Sequence, residues 1–242
     1  MSDRKAAIII GAGDATGGAV ARRFAKGGYV GCVTRRSAEK LQPLITEIKA
    51  AGGEARGFGS DARDEAQVTD LFSTVEREVG PVEVLVFNIG ANVNFPITEM
   101  TERVYRKVWE MAAFAGFLTG REAARVMSPR GRGTIIFTGA TASLRGGPGF
   151  AAFAGAKFAL RALAQSMARE LGPKGIHVAH PIIDGAIDTA FIRDNFPSRY
   201  ALKEQDGILN PEHIAEAYWQ IHQQPRDAWT HELDLRPWME TF

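Results

Sequence analysis

The chain has 242 residues, 45% of them hydrophobic and 24% charged, and its formal net charge is +1. That length suits a single domain with a large core, and the near-neutral balance, with no basic block, argues against a nucleic-acid partner. Cys32 is the lone cysteine, so no intramolecular disulfide can form, and its setting in "YVGCV" reads as core. The opening "MSDRKAAIII" carries too short an apolar run for a signal peptide, and no segment reaches ~18 uninterrupted apolar residues. No membrane contact is expected, and a cytoplasmic location is the default.

Apolar runs alternate along the chain with segments of helical period. "AAIII" (6–10) reads as a buried strand, 16–26 as a helix closed by Gly27-Gly28, and "YVGCVT" (29–34) as a second strand. Ser37 is placed to cap a helix running to about residue 51, with Pro43 acceptable only in its first turns. "ARGFGSD" (55–61) is a weaker third strand. Asp64 with Gln67 forms a capping-box pattern for a helix to Val79, and "VEVLVFN" (82–88) is strand four. A long helix is expected over 101–127, a strand over 134–139, a helix over 150–171 and a strand at "IHVAHPII". Asn210-Pro211 opens a helix to about Gln223, and "THELDL" (230–235) can add a last strand.

Strands that are apolar on both faces and separated by helices predict an α/β fold. The expected architecture is a single-domain doubly wound parallel sheet of about seven strands, of the Rossmann type, over residues 1–242, with right-handed crossovers. In such sheets ligands sit beyond the carboxyl ends of the strands, where strand order reverses. No internal repeat or linker divides the chain. No His, Cys, Asp or Glu set has metal-ligand spacing, and "HEL" (231–233) lacks the second histidine of a zinc site.

After the first strand comes "GAGDATGG". Glycines at a strand–helix junction let backbone approach a pyrophosphate, which the free N–H groups of the helix start can bind. The spacing Gly11-x3-Ala15-x-Gly17 resembles the Gly-x3-Gly-x-Gly turn of the short-chain dehydrogenase/reductase family, with alanine at the middle glycine. "SDARD", "LVFNIGA" and "IDGAIDT" resemble further segments of that family in the right order, and Lys157 stands where its Tyr-x3-Lys motif has lysine. In length and architecture the chain also resembles bacterial 3-oxoacyl carrier-protein reductases.

The resemblance implies a nicotinamide dinucleotide and a small-molecule substrate. It implies cofactor-binding roles for Gly11, Gly13, Ala15, Thr16 and Gly17, for Asp61 and Ala62 beside the adenine, and for Asn88 and Gly90. Lys157 would bind the nicotinamide ribose, and Gly185, Ile187 and Thr189 would lie near the nicotinamide, with Asp184 in place of the family's proline. The second strand ends "CVTRRS". An acid there selects NAD by accepting from the ribose 2′-hydroxyl, whereas Thr34, Arg35 and Arg36 offer donors suited to a 2′-phosphate. NADP(H) is therefore preferred, with NAD(H) possible.

The resemblance also places the family's catalytic tyrosine at position 153 and its serine at 140, which here are Phe153 and Ala140. Its asparagine falls on Ala112 or Ala113. A positioned acid contributes roughly 10²–10⁴-fold and an oxyanion donor about 10²–10³-fold, so the ordinary carbonyl chemistry should be severely weakened. Thr138, Thr141 and Ser143 are candidate replacement hydroxyls, and Arg145, His180, Asp184 and Tyr200 are other polar candidates nearby. Acceptors needing no acid, such as an iminium or a quinone, would suit a dry pocket lined by Phe95, Phe150, Phe153 and Phe191. The competing readings are a non-catalytic NADP(H)-binding sensor or partner subunit, and a carbonyl reductase disabled by engineering at 140 and 153. Small-residue stretches in the two long helices and an aromatic tail fit the homotetramer or homodimer that the resemblance implies.

Overall fold

Residues 4–241 are described by a computed structural model. Seven strands lie in one sheet: β1 (Lys5–Ile10), β2 (Tyr29–Arg35), β3 (Glu54–Gly59), β4 (Val82–Phe87), β5 (Gly133–Phe137), β6 (Ile176–Ile183) and β7 (Glu232–Leu235). Among the described residues their order is β3-β2-β1-β4-β5-β6-β7, with neighbouring strands parallel. The chain lays β2 and β3 to one side of β1 and then returns to lay β4 on the other. Strand order therefore reverses between β1 and β4, and the crevice beyond their carboxyl ends is where a ligand binds in sheets of this kind.

The unbroken apolar strands follow from burial on both faces. Ile8 and Ile10 pack into one core with α3 (Glu65–Glu78), α5 (Ala115–Met127) and α6 (Ala151–Leu171). Ala7 and Ile9 turn the other way, toward α1 (Thr16–Lys26), α2 (Gln42–Ala50) and α9 (Pro211–Gln223). Phe24, Phe72, Phe87 and Phe137 are fully buried, each contributing about 1.5–3 kcal/mol by leaving water. Cys32 is buried as expected, and desolvation raises its thiol to about 12.

Departures from the sequence reading are local. Pro43 sits in the first turn of α2, where its missing N–H costs nothing. A 3-10 turn, Ala38–Leu41, precedes that helix, and Ser37 spends its hydroxyl on the Glu39 carboxylate rather than on a cap. Asp64 does cap α3, accepting from Gln67 N at 3.1 Å, but the Gln67 side chain accepts from Asp61 N at 2.9 Å. The reciprocal arm of the capping box is thus displaced three residues upstream. The long helix is interrupted: α4 (Glu102–Trp109) runs through a π-helical turn, Glu110–Phe114, into α5. Residues 190–205, which carry no clear periodicity, form α7 (Ala190–Asn195), α8 (Pro197–Tyr200) and a 3-10 turn, Ala201–Gln205.

One buried polar chain ties three elements together. His222 of α9 shares hydrogen bonds with the Tyr29 hydroxyl of β2 at 2.7 Å and the Thr134 hydroxyl of β5 at 2.8 Å. Desolvation, with smaller contributions from His177 and Lys5, pulls the His222 imidazole down to about 4. The unfolded chain, with histidine near its ordinary ~6.5, takes up this proton first, so stability is lost as pH falls from about 6.5 to about 4. Urea midpoints at pH 7, 5.5 and 4.5 should decline, and His222→Gln should flatten that decline by its share. An unchanged slope in the variant would remove His222 as the cause.

Candidate active site

The crevice is built by close backbone approach. Gly11 ends β1 with φ +84°, and Asn88, just beyond β4, donates from Nδ2 to Gly11 O at 3.3 Å, lacing the two strand ends together. A Cβ on Gly17 would meet Gly11 O at 2.4 Å, so α1 lies directly on the turn. Gly13, by contrast, faces open space. Ala15 offers no capping side chain, and the first turn of α1, where Thr16 is buried, holds no acid. Its leading N–H groups are thus left for a ligand anion. The donor chemistry and the room above Gly13 fit the pyrophosphate of a dinucleotide.

At the end of β2 the three residues diverge. The Thr34 hydroxyl donates to Ile9 O at 3.2 Å and is almost fully buried, so it serves the sheet and does not reach outward. Arg36 is exposed. Arg35 pairs at 3.5 Å with Asp14, a fully exposed acid within the glycine turn. Asp61 is held by Arg63, which donates from Nε and Nη2 at 2.9 and 2.6 Å. That hydrogen bond, against a smaller opposing cost of burial, keeps the Asp61 carboxyl below its usual range. Ala62 is buried, and Gly90 is exposed with space where a Cβ would be.

The chemistry end is organised by α6. Lys157 is buried, and its Nζ donates to Thr138 O at 2.8 Å and Ile89 O at 3.3 Å. Desolvation lowers this amine to about 8. One turn earlier Phe153 packs with Ala142 and Ala154, backed by Ala140 and Phe150. Positions 140 and 153 thus both contribute carbon to one apolar cluster. Ala112, in the π-helical turn, is fully buried against Val108, Ala152 and Ala156, and Ala113 is buried beside it.

The three replacement hydroxyls considered from sequence are all engaged elsewhere. Thr138 Oγ1 accepts from the Tyr218 hydroxyl at 2.9 Å. Thr141 donates to Asp184 Oδ1 at 2.6 Å. Ser143 is fully buried, its Oγ accepting from Ala140 N at 3.2 Å and bonding His180 Nε2 at 3.1 Å. That burial leaves the Ser143 hydroxyl within the loop, between Ala140 N and His180. His180 is buried too, and desolvation, with the charge of Lys157, lowers it to about 3, so it stays neutral. Tyr200 lies at the surface beside Lys203.

Beyond β6, Gly185 has φ +152° and a Cβ there would meet Pro237 Cδ at 2.7 Å. Ile187 bridges to Leu209, and Thr189 accepts from Ile192 N at 3.2 Å as the cap of α7. Asp184 is buried under Thr141, Arg145 and Arg236. Burial raises its carboxyl, but the hydrogen bonds from Thr141 and Arg236 and the two charges outweigh that, and the net shift is downward. Arg236, Tyr218, Arg63 and Asp14 were not foreseen. Only the Asp61–Arg63 spacing in "SDARD" carried a local signal. Phe95 and Phe191 are exposed, and Phe191 packs edge-on against Phe196, so the four phenylalanines do not close one dry pocket. Among the described residues no three His, Cys, Asp or Glu side chains gather as for a metal, and no helix is long and apolar enough to cross a membrane.

The family described as short chain dehydrogenase matches residues 5–199. A short-chain dehydrogenase structure from Rhodopseudomonas palustris is 51% identical, covering 98% of this chain and 100% of that one, with a TM-score of 0.83. The short-chain reductase protein NovJ of Streptomyces niveus is 30% identical over 89% of this chain and 86% of its own length. An alcohol dehydrogenase from the archaeon Thermococcus sibiricus, complexed with 5-hydroxy-NADP, is 26% identical over 99% of both chains, with a TM-score of 0.86.

Two glycines of the turn should separate cleanly in stability. Gly17→Ala forces a methyl into the carbonyl of Gly11 and should cost about 2 kcal/mol or more. Gly13→Ala meets nothing within 4 Å and should stay within ~0.5 kcal/mol of the parent. Urea unfolding of both variants checks this, and equal losses would mean the turn is packed differently.

Proposed function

The chain belongs to the short-chain dehydrogenase family, and on that footing we propose that it is an NADP(H)-preferring oxidoreductase working without the serine–tyrosine pair. The observation that carries this is the pairing of a retained, buried Lys157 with carbon at positions 140 and 153. A bound nicotinamide nucleotide would supply the hydride or take it up. The residues that would hold it are the Gly11–Gly17 turn with the start of α1 for the pyrophosphate, and Asn88 and Gly90 along the β4 end. Lys157 would hold the nicotinamide ribose, and Gly185, Ile187 and Thr189 would border the nicotinamide. The 5-hydroxy-NADP of the Thermococcus relative supports the nucleotide class.

Arg35 and Arg36 supply the preference for a 2′-phosphate. Arg35 is already turned toward Asp14 at 3.5 Å in an exposed pair, an interaction weak enough to yield to a phosphate. Asp61 and Ala62 border the adenine side, with Arg63 fixing the Asp61 carboxylate. Lys157 keeps its orientation from two backbone carbonyls, so it needs no tyrosine to be placed.

With Phe153 and Ala140 at these positions, neither side chain has a hydroxyl to donate a proton to a developing alkoxide. The acceptor must then carry its own positive charge, as an iminium does, or spread the new charge, as a quinone does. The commitment of the Thr138, Thr141 and Ser143 hydroxyls favours a second reading, a non-catalytic NADP(H)-binding sensor or subunit. The protein is taken to act as one domain, in the cytoplasm, as a homodimer or homotetramer. Half-exposed Tyr105, Trp109, Phe117 and Phe158 on α4–α6 support self-association.

Nicotinamide absorbance followed with NADPH against ketone, iminium and quinone panels tests the proposal. NADPH should bind more tightly than NADH, and Arg35→Ala with Arg36→Ala should erase that difference. Iminium or quinone turnover should exceed that of simple ketones, and Phe153→Tyr with Ala140→Ser should raise ketone turnover by about 10²-fold or more. Brisk ketone reduction by the unaltered protein would overturn the proposal, and tight NADPH binding with no turnover of any acceptor would select the sensor reading.

A further inference from the structure

A carboxylate stands in the turn whose backbone is open to an anion. Asp14 belongs to the glycine turn between β1 and α1, and its side chain is 99% exposed. Its Oδ1 lies 3.5 Å from Arg35 Nη1, and among the described residues Arg35 is its sole side-chain partner. The acid is not a cap of the helix: α1 has Ala15 at its N-cap, and its first turn holds no acid. An exposed pair of this length contributes little to folding, so stability does not account for a carboxylate at 14.

Its position gives the pair a consequence. Ala12 N donates to Thr34 O at 3.1 Å, tying the turn to the end of β2. Arg35 follows Thr34 and meets Asp14, so the pair lies along the seam between turn and strand end. A Cβ on Gly13 would meet nothing within 4 Å, so the turn beside Asp14 is open. In a dinucleotide held at such a turn, the end of the second strand reads the ribose 2′ position, and an arginine there accommodates a 2′-phosphate. The other charges near that strand end are disposed differently. Arg63 holds Asp61 at 2.9 and 2.6 Å, and Glu39 accepts from the Ser37 hydroxyl. Arg36 is exposed, and its charge is felt at Asp61. Asp14 stands apart from these acids because its counter-ion is the arginine that a 2′-phosphate would use.

We infer that Asp14 is a specificity-determining residue: its carboxylate competes with a 2′-phosphate for the Arg35 guanidinium, which narrows the preference for NADP(H) and leaves NAD(H) usable. This rests on the cofactor reading above and adds the residue that limits it. To reach Arg35 a 2′-phosphate must displace the carboxylate and then share the seam with a like charge. NADH has a hydroxyl at that position and meets neither obstacle. Both nucleotides carry the same pyrophosphate, so repulsion of that group by Asp14 is common to the two. The ratio of their affinities therefore reads the 2′ position.

The test is equilibrium binding of NADPH and NADH to the whole protein, followed by the fluorescence of the reduced nicotinamide. Asp14→Asn should tighten NADPH about three- to tenfold and change NADH less than about twofold. That gain should shrink as salt rises from about 50 to about 500 mM. In an Arg35→Ala background Asp14→Asn should leave the ratio unchanged, because the guanidinium under competition is gone. The urea midpoint of Asp14→Asn should match the parent, which keeps folding out of the comparison. If Arg35→Ala weakens NADPH but Asp14→Asn leaves the ratio as it was, this inference is overturned and the cofactor reading stands. An equal gain in both backgrounds also overturns it, by assigning the effect to general charge. NADPH that does not bind the parent overturns the cofactor reading, and NADPH that binds Arg35→Ala as well as the parent overturns the 2′-phosphate role of Arg35. Either result takes this inference down as well.

Discussion

A cation buried without a carboxylate beside it governs the arrangement of this site. Lys157 Nζ rests on the carbonyls of Thr138 and Ile89, the backbone just past β5 and β4. Those carbonyls lie just past the ends of the two strands. Moving an ammonium out of water is costly unless its donors are satisfied, and desolvation lowers this amine toward neutrality. The two carbonyl bonds hold α6 at one height against the strand ends. Everything else on that face of α6, Phe153 above all, inherits its position from this attachment.

The opposite wall of the crevice is set by steric contact rather than charge. Gly17 lies so close to Gly11 O that only hydrogen fits, and Asn88 bonds the same carbonyl from the β4 side. The two walls meet at the point where strand order reverses. Between them the backbone supplies donors at α1 and the side chains supply cations at Lys157 and Arg35. A pyrophosphate-bearing ligand is complementary to that distribution, and an anion-poor one is not. Alanine at position 15 costs little here, because the close approach is made by Gly11 and Gly17, and Ala15 stands at the helix cap.

Most of the fold was legible because both-face burial leaves a direct imprint on sequence. Runs such as "AAIII" and "VEVLVF" are apolar throughout except at Glu83, a buried acid of β4 paired with Lys5 and Arg132. The helix end marked by Gly27-Gly28 fell where expected, since glycine acts on the backbone locally. Contacts made across long separations were not legible. Arg236 reaches Asp184 from 52 residues away and Tyr218 reaches Thr138 from 80, with nothing in either neighbourhood to announce the pairing. The hydroxyls of Thr141 and Ser143 were read as free for the same reason: Asp184 and His180 arrive from β6 and the residue after it, which spacing within the loop cannot reveal. The π-helical turn at Glu110–Phe114 also escaped, because one extra residue in a turn leaves the apolar period almost intact.

Asp184 shows how one buried residue can organise a wall of the crevice. A carboxylate placed there, at 1% exposure, would be untenable alone, and each donor around it comes from a different element. Thr141 arrives from the loop after β5, Arg145 from its far end, and Arg236 from the segment after β7. The tail is thereby fastened to the site: Pro237 closes on Gly185, and Glu240 holds Arg199 of α8. A side chain that began as an electrostatic liability thus fixes the loop, the tail and the cover of the pocket in one geometry. Carbon stands at 140 and 153, while the cluster at 184 joins three separate segments through one carboxylate.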